Sequence, residues 1–411
     1  MVNVVAVDTT LSGPIIGGAQ TFLSDLAAGL VARGAETHLV TSGELQKKIA
    51  GPFLQSGAAI HKNLWPSLSL VEDITPGFAR WVNDLHPDVY VVSVSPDIGW
   101  TALPHLRPEI ATLAIAHLDS PTFFLPVSHY ADFLTCAVGV SEAVCDYIRA
   151  ECGVPPERVA WIPYGVYPGK CPSEMPDGAS SPRLRMVYAG RLTDTQKRSS
   201  DLIRLVERLR GVSLDYRFDI VGDGPLLPDL RQALEPEIAG GRVALHGWVE
   251  RQRLHQFLDD SDVLLMTSDS EGFPIVLVEA MAHGLAPVVT DIPGGNRQLV
   301  RHMKNGILVP VGRIDDFVGG IQLLARDQIL LRSLRVSAWH SAQPFTMRRM
   351  IDAYLECFSA AKERARLRAR APDPGFPLME SCRSRYPLWL RRFKASAGRI
   401  AQRLPQHNAL T

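Results

Sequence analysis

Short apolar runs alternating with amphipathic stretches, a pattern met twice along the chain, constrain this sequence more than any other feature. In the first half, Val2–Val7, His38–Thr41, Val89–Ser93, Thr112–Ala116 and Ala137–Val140 are short and rich in β-branched residues. Such runs belong to parallel strands buried on both faces. Between the first two, Gln20–Arg33 carries apolar residues at Phe22, Leu23, Leu26, Ala27 and Leu30, a helical stripe closed by Gly34. The pattern restarts near residue 184. Leu184–Tyr188, Tyr216–Val221, Val243–His246, Val263–Thr267 and Ala286–Thr290 read as strands, with helices at Ser200–Arg210, Leu227–Leu234, Arg251–Leu258 and Ile275–His283. This order predicts an α/β protein of two doubly wound parallel sheets, whose ligands bind at the carboxyl ends of the strands.

The length agrees with that duplication, since 411 residues exceed one ordinary core and divide into domains of roughly 150 to 200 residues. Tyr167–Arg183 is dense in Pro, Gly and Ser and reads as the linker between the halves. Lysine plus arginine balance aspartate plus glutamate at 43 each, so no nucleic-acid partner is expected. That balance hides an asymmetry: Lys362–Thr411 holds 12 basic against 3 acidic residues. The six cysteines show no C-x-x-C spacing, which argues against a metal site or a disulfide framework and fits a reducing cytosol. Val2–Val7 reads as a first strand and not a signal peptide, and no apolar run reaches membrane-spanning length. A cytoplasmic location is the expectation.

The chemistry concentrates in Glu271-Gly-Phe-Pro-Ile-Val-Leu-Val-Glu279. Read as helix, eight residues rise roughly 12 Å, so the two carboxylates serve separate parts of one elongated ligand. A sugar nucleotide, with a hexose at one end and a ribose at the other, is such a ligand. Gly190-Arg191-Leu192, then Lys197, follows the first strand of the second half. An arginine fork and a lysine point charge suit a diphosphate, although two solvated loop cations fit the same residues. Gly17-Gly18 opens the first long helix, either as a phosphate approach or as a tight turn. Val221-Gly222-Asp-Gly-Pro225 is likewise a ligand contact or a structural turn. Trp248, after His246-Gly247, is a base platform or a buried core residue. His117 ends a strand and can reach a sugar hydroxyl or stay structural, and Gly294-Gly295 either turns against a nucleotide or merely connects elements. Ser141 and Ser268 lack a nucleophile-elbow context, and no G-x-x-x-x-G-K-[ST] loop occurs.

Taken in order, Gly190-Arg191-Leu192…Lys197, Val221-Gly-Asp-Gly-Pro225, His246-Gly247 and Glu271-Gly-Phe-Pro…Glu279-Ala-Met-Ala resemble retaining glycosyltransferase family 4, the glycosyl transferases group 1. The Gly17-Gly18 loop, His117 and Val138-Gly-Val-Ser-Glu-Ala-Val144 match its first half more loosely. The resemblance covers roughly residues 1–360. It implies the GT-B fold: two Rossmann-like domains facing across a cleft, with an acceptor domain at 1–168, a linker at 169–183 and a donor domain at 184–344. A helix at 345–362 crosses back, and 363–411 forms a basic tail.

The resemblance also implies roles. Arg191 and Lys197 clamp the donor diphosphate, with Gly18 approaching from the other domain. Gly222 and Val249 join the donor-binding set, and Glu279 accepts the ribose hydroxyls. Glu271 lies beside the transferred sugar, whose hydroxyls and phosphate meet the main chain of Gly272, Phe273, Pro274 and Ile275; His117 contacts the sugar. No metal and no cofactor beyond the nucleotide-sugar co-substrate are expected. The family's Pro-Asn-Gly-Val becomes Pro163-Tyr164-Gly165-Val166 here, which puts any hinge or acceptor role of that position in question.

The partners implied are a nucleotide-sugar donor and a glycan or lipid-linked acceptor, as in surface-polysaccharide assembly. In the tail, Tyr386–Ile400 mixes aromatics and cations at near-helical spacing and reads either as a helix lying on anionic lipid or as a loose basic tail. Two alternatives stand beside a transferase: another GT-B enzyme, such as an epimerase or phosphorylase, and a non-catalytic nucleotide-sugar-binding protein. Retention of Glu271, Glu279, Arg191 and Lys197 together argues against the second.

Overall fold

A computed structural model describes residues 2–9, 18–41, 55–62, 71–93, 97–118, 120–172 and 183–367. They form two compact units. One runs through Gly139 and adds Cys145–Trp161 and the chain from Ala353 onward; the other comprises Val140–Val144 and Ile162–Asp352.

The first unit is built on a parallel sheet of seven strands: β1 (Val4–Thr9), β2 (Glu36–Thr41), β3 (Ala59–Lys62), β4 (Val89–Val92), β5 (Ala111–Ala116), β6 (Cys136–Gly139) and β7 (Val159–Trp161). Their order is β3-β2-β1-β4-β5-β6-β7. The second unit holds six parallel strands: β8 (Leu184–Ala189), β9 (Tyr216–Val221), β10 (Val243–Gly247), β11 (Val263–Met266), β12 (Ala286–Thr290) and β13 (Ile307–Val309), ordered β10-β9-β8-β11-β12-β13. In both sheets the order reverses beside the first strand, and at such a reversal the loops on either side diverge and leave room for a ligand.

The central strands are apolar throughout because helices cover both faces. Val89–Val92 and Val263–Leu265 have no exposed surface. The helix Ser200–Arg210 turns Leu202, Leu205, Val206 and Leu209 inward, the spacing of one helical face. Gly18–Ala32 buries Phe22, Leu23, Leu26, Ala27 and Leu30 and ends at Gly34, whose φ of +83° is open to glycine.

Three strands escape the sequence pattern: β3, β7 and β13. Each is three or four residues long and lies at a sheet edge, where pairing with one neighbour decides the conformation. The last helix, Met347–Leu367, runs beyond the expected limit of 362, and its Tyr354, Phe358, Ala361 and Ala365 are buried on one face. Residues 173–182 of the expected linker, and the tail from 368 on with its Tyr386–Ile400 segment, lie outside the described residues. Gly17 does as well.

Candidate functional site

The reversal in the second sheet falls between β8 and β11. The loops leaving those strands carry the residues singled out in the sequence. After β8 the chain makes a close approach to its neighbours: Gly190 N–H donates to Val221 O at 3.0 Å, Leu192 N–H to Asp223 O at 2.9 Å, and Gly222 N–H to Gly247 O at 2.8 Å. Gly222 has φ +148°, and a Cβ there would stand 1.8 Å from Gly190 O. Only glycine lets the ends of β8, β9 and β10 converge so tightly. The requirement for glycine in this turn is therefore structural.

Lys197 sits on a turn whose flanking residues, Gln196 (φ +73°) and Arg198 (φ +47°), both adopt the left-handed conformation. Side chains rarely accept it, so the surrounding contacts must enforce it. Those contacts come from the end of β11: Thr267 Oγ1 lies 2.9 Å from Lys197 O, and Asp269 N–H donates to Gln196 O at 2.9 Å. So held, the Lys197 ammonium meets Glu271 Oε1 at 2.5 Å. Ser268 Oγ donates to the same oxygen at 2.7 Å, and Gln196 Nε2 to Oε2 at 3.5 Å. The Glu271 side chain keeps 6% of its surface exposed and Lys197 20%. Arg191 is exposed, and among the described residues its guanidinium makes no ion pair. Gln196 and Ser268 were not read from sequence as partners of Glu271; Ser268 was weighed there only as a nucleophile.

The helix after this loop begins at Ile275, where the sequence places it, so Glu271 precedes it and Glu279 lies within it. Pro274 caps that helix with extended geometry (φ −76°, ψ 99°), and a residue before proline avoids the helical region. The Phe273 side chain is buried, edge-on to Tyr164 at 5.7 Å and to Phe345 at 5.5 Å between ring centroids. What Gly272–Ile275 can offer a ligand is mainly main chain. Tyr164, where the family carries asparagine, is a buried member of this aromatic cluster. Burial pushes its hydroxyl well above the ordinary tyrosine range. Gly294-Gly295 packs on the same loop, since a Cβ on Gly295 would lie 2.4 Å from Pro274 Cδ.

Glu279 is buried in the helix Ile275–Ala282. Two residues one turn apart on the helix Arg251–Asp259 lie against its Oε1: Arg251 Nη2 at 3.2 Å and His255 Nε2 at 3.7 Å. Burial raises the Glu279 carboxyl, but the nearby His255 and the bond and charge of Arg251 outweigh it and hold the group below the usual carboxylate value. Neither residue stood out in sequence, because only the packing of two helices shows what they face. Val249 and Trp248 are half-buried in the preceding loop, so Trp248 is not the core residue that one reading expected. His246 is committed to Asp219 at 2.7 Å, which in turn takes both prongs of Arg217.

In the first unit, His117 follows β5 and Ser93 follows the adjacent β4, with Ser93 Oγ and His117 Nε2 2.6 Å apart. Phe22 and Phe123 stand edge-on to the imidazole at 5.4 and 5.6 Å. Burial pushes His117 down to about 3, which favours the neutral imidazole. Gly18 is exposed at the first position of its helix. Among the described residues no cluster of His, Cys, Asp and Glu is arranged to hold a metal, and no helix is long and apolar enough to cross a membrane.

Comparison with known proteins gives matches over both units. Residues 183–327 match the family described as glycosyl transferases group 1, and residues 16–170 match glycosyltransferase family 4. The lipopolysaccharide 1,6-galactosyltransferase of Salmonella typhimurium is 26% identical over 292 residues, 69% of this chain and 77% of that one. The amylovoran biosynthesis glycosyltransferase AmsK of Erwinia amylovora is 31% identical over 166 residues, 39% of this chain and 40% of that one. Among solved structures, Anabaena HepE in complex with UDP-glucose superposes with a TM-score of 0.70 at 18% identity, covering 88% of this chain and 100% of that one. At that identity the likeness establishes the fold, which is GT-B.

Proposed function

Because the chain belongs to the group 1 glycosyltransferases of the GT-B fold, we propose that it moves a sugar, with retention of anomeric configuration, from a nucleotide-sugar donor to a glycan or lipid-linked acceptor in surface-polysaccharide assembly. The observation that carries this reading is the Lys197–Glu271 pair at the reversal of the second sheet, with Glu279 on the helix that follows. In this reading the three residues serve as two charged stations for the two ends of a nucleotide diphosphate sugar. In this reading Glu279 takes the ribose hydroxyls, and Arg191 and Lys197 neutralise the diphosphate. Main-chain groups at Gly272–Ile275 hold the sugar beside Glu271.

Departure of the nucleotide leaves positive charge on the anomeric carbon and adds negative charge to the diphosphate. Fixed charges already in place stabilise both without reorganising. Lys197 is suited to this because its backbone is locked by the end of β11 before any ligand arrives. Donor binding draws its ammonium from Glu271 toward phosphate, which releases the Glu271 carboxylate to face the developing cation. The acceptor hydroxyl attacks from the side the nucleotide leaves, its proton passing to the departing phosphate oxygen. His117, neutral and held by Ser93, orients a sugar hydroxyl. No metal is required, since lysine and arginine supply the positive charge.

The test is a thermal-shift screen of the purified chain against UDP, GDP, ADP and their sugar conjugates. UDP-glucose goes first because HepE, a structural relative, holds it. A ligand at about 100 times its dissociation constant adds about 2.7 kcal/mol. One nucleotide series should raise the midpoint, with the effect lost in Arg191→Ala and Lys197→Ala. No response to any nucleotide sugar would overturn the donor assignment. The basic tail is proposed to hold the enzyme at the cytoplasmic face of an anionic membrane. Deleting residues after 371 should then reduce sedimentation with anionic vesicles, and unchanged sedimentation refutes that role.

A further inference from the structure

In the first unit, two thiols that the transferase reading does not use lie side by side. Cys136 opens β6 and is buried, while Cys357 is half-buried on the helix Met347–Leu367. Their sulfurs are 3.2 Å apart although 221 positions separate them in sequence. A disulfide places its sulfurs about 2.05 Å apart, so bonding asks for an approach of only about 1 Å. The buried face of the helix, Tyr354, Phe358, Ala361 and Ala365, holds Cys357 in that position.

Each thiol of the pair has a distinct environment. Either thiol can donate across that contact, and Arg364 stands near; the contact and the arginine lower Cys357 below the ordinary thiol value, while Cys136 is raised by the contact and by burial. Cys357 is the member that solvent reaches, with Cys136 behind it as a resolving thiol. Two other buried cysteines are engaged elsewhere. Cys145 donates toward the carbonyls of Gly139 and Ala160 at 3.6 and 3.5 Å. Cys152 points to Phe124 O at 3.8 Å, and burial pushes it up to about 11.

We propose that Cys136 and Cys357 form an oxidisable dithiol, a modification site for a peroxide oxidant, whose product is a disulfide fastening the last helix to β6. The Cys357 thiolate attacks a peroxide oxygen and the O–O bond breaks. Hydroxide leaves, takes a proton to become water, and Cys357 becomes a sulfenic acid. Cys136 sulfur then attacks the Cys357 sulfur and expels the sulfenic oxygen as a second water. Two thiols and one hydrogen peroxide become one disulfide and two waters. The bond ties together parts of the first unit that are distant in sequence and adjacent in the fold, next to the strand β5 that leads to His117.

The experiment treats the reduced full-length chain with hydrogen peroxide, counts thiols after denaturation and maps peptides by mass spectrometry. Wild type, with six cysteines, should fall to four thiols and yield one cross-linked peptide pair containing Cys136 and Cys357. Its thermal midpoint should rise on oxidation and return on reduction. Cys357→Ser should keep its five remaining thiols, and Cys136→Ala should stop at a sulfenic acid on Cys357 that dimedone traps. Equal thiol loss in wild type and Cys357→Ser would overturn the proposal. So would bridges between other cysteines, or Cys357 passing to sulfinic acid with no bridge in wild type. The midpoint shift keeps the proposal testable if Cys136→Ala folds poorly.

Discussion

Replacing Arg251 by leucine isolates what holds Glu279 charged inside the second unit. The carboxylate has 6% of its side chain exposed, and its Oε1 is met by Arg251 and, farther off, by His255. Removing one partner of a buried ion pair costs about 3–5 kcal/mol when the survivor stays fully enclosed. Here the cost is smaller. Arg251 keeps 27% exposure, its contact is one bond of 3.2 Å, and His255 remains nearby. A loss of about 2 kcal/mol is the working figure for such a partly solvated pair. For a domain of this size it lowers the melting midpoint by roughly 4–8 °C. The assay is urea and thermal unfolding of wild type, Arg251→Leu, Glu279→Gln and the double variant. The double should be less destabilised than the two singles added together, because the second substitution removes a group the first left stranded. The pH dependence has a definite sign. A carboxyl held below its ordinary value of 4.5 contributes stability that is present above that pH and is lost as pH falls through its folded value. The gap between wild type and Arg251→Leu should therefore narrow below about pH 4.5. A midpoint unchanged by Arg251→Leu, or strictly additive singles, would refute the reasoning.

Further predictions concern the rest of the site. Lys197→Met should raise the donor KM at least tenfold, about 1.4 kcal/mol of binding, whereas Glu271→Gln should chiefly lower kcat; steady-state kinetics with the donor found by thermal shift separates the two. Tyr164→Asn, which restores the residue common in the family, should destabilise by about 2–4 kcal/mol because it removes a buried ring from Phe273; unfolding in urea reads the loss. Gly222→Ala should cost more than about 2 kcal/mol, since the added Cβ meets Gly190 O, and its circular dichroism melt should show it. His117, held neutral, contributes stability that is whole above pH 6.5 and declines as pH falls toward 3; an acid-unfolding curve of His117→Gln should lose that component.

Much of this organisation is legible in the sequence because it depends on near neighbours. An unbroken apolar run such as Val263–Leu265 announces a strand covered on both faces, and the stripe at Leu202, Leu205, Val206 and Leu209 follows from helical spacing. The glycines at 190 and 222, and the two glutamates of Glu271…Glu279, likewise mark the site directly. The linear reading was misled where local and tertiary preferences part. Trp248, which one reading placed in the core, is instead half-buried in a loop. The edge strands β3, β7 and β13 are too short for periodicity to reveal.

Local pattern in the chain thus sets the alternation of strands and helices, the duplication of the sheet, and which charged residues stand at strand ends. The tertiary structure alone decided which of them meet. Lys197 and Glu271 are 74 positions apart, and they pair because the strand order sets β8 beside β11. Arg251 and His255 reach Glu279 because two helices pack with those faces together. Cys136 and Cys357 touch because the last helix buries its apolar face in the first unit. The physical reason is common to all three: hydrophobic burial, which composition encodes locally, fixes the docking of whole elements, and polar partners are chosen only once that docking is complete.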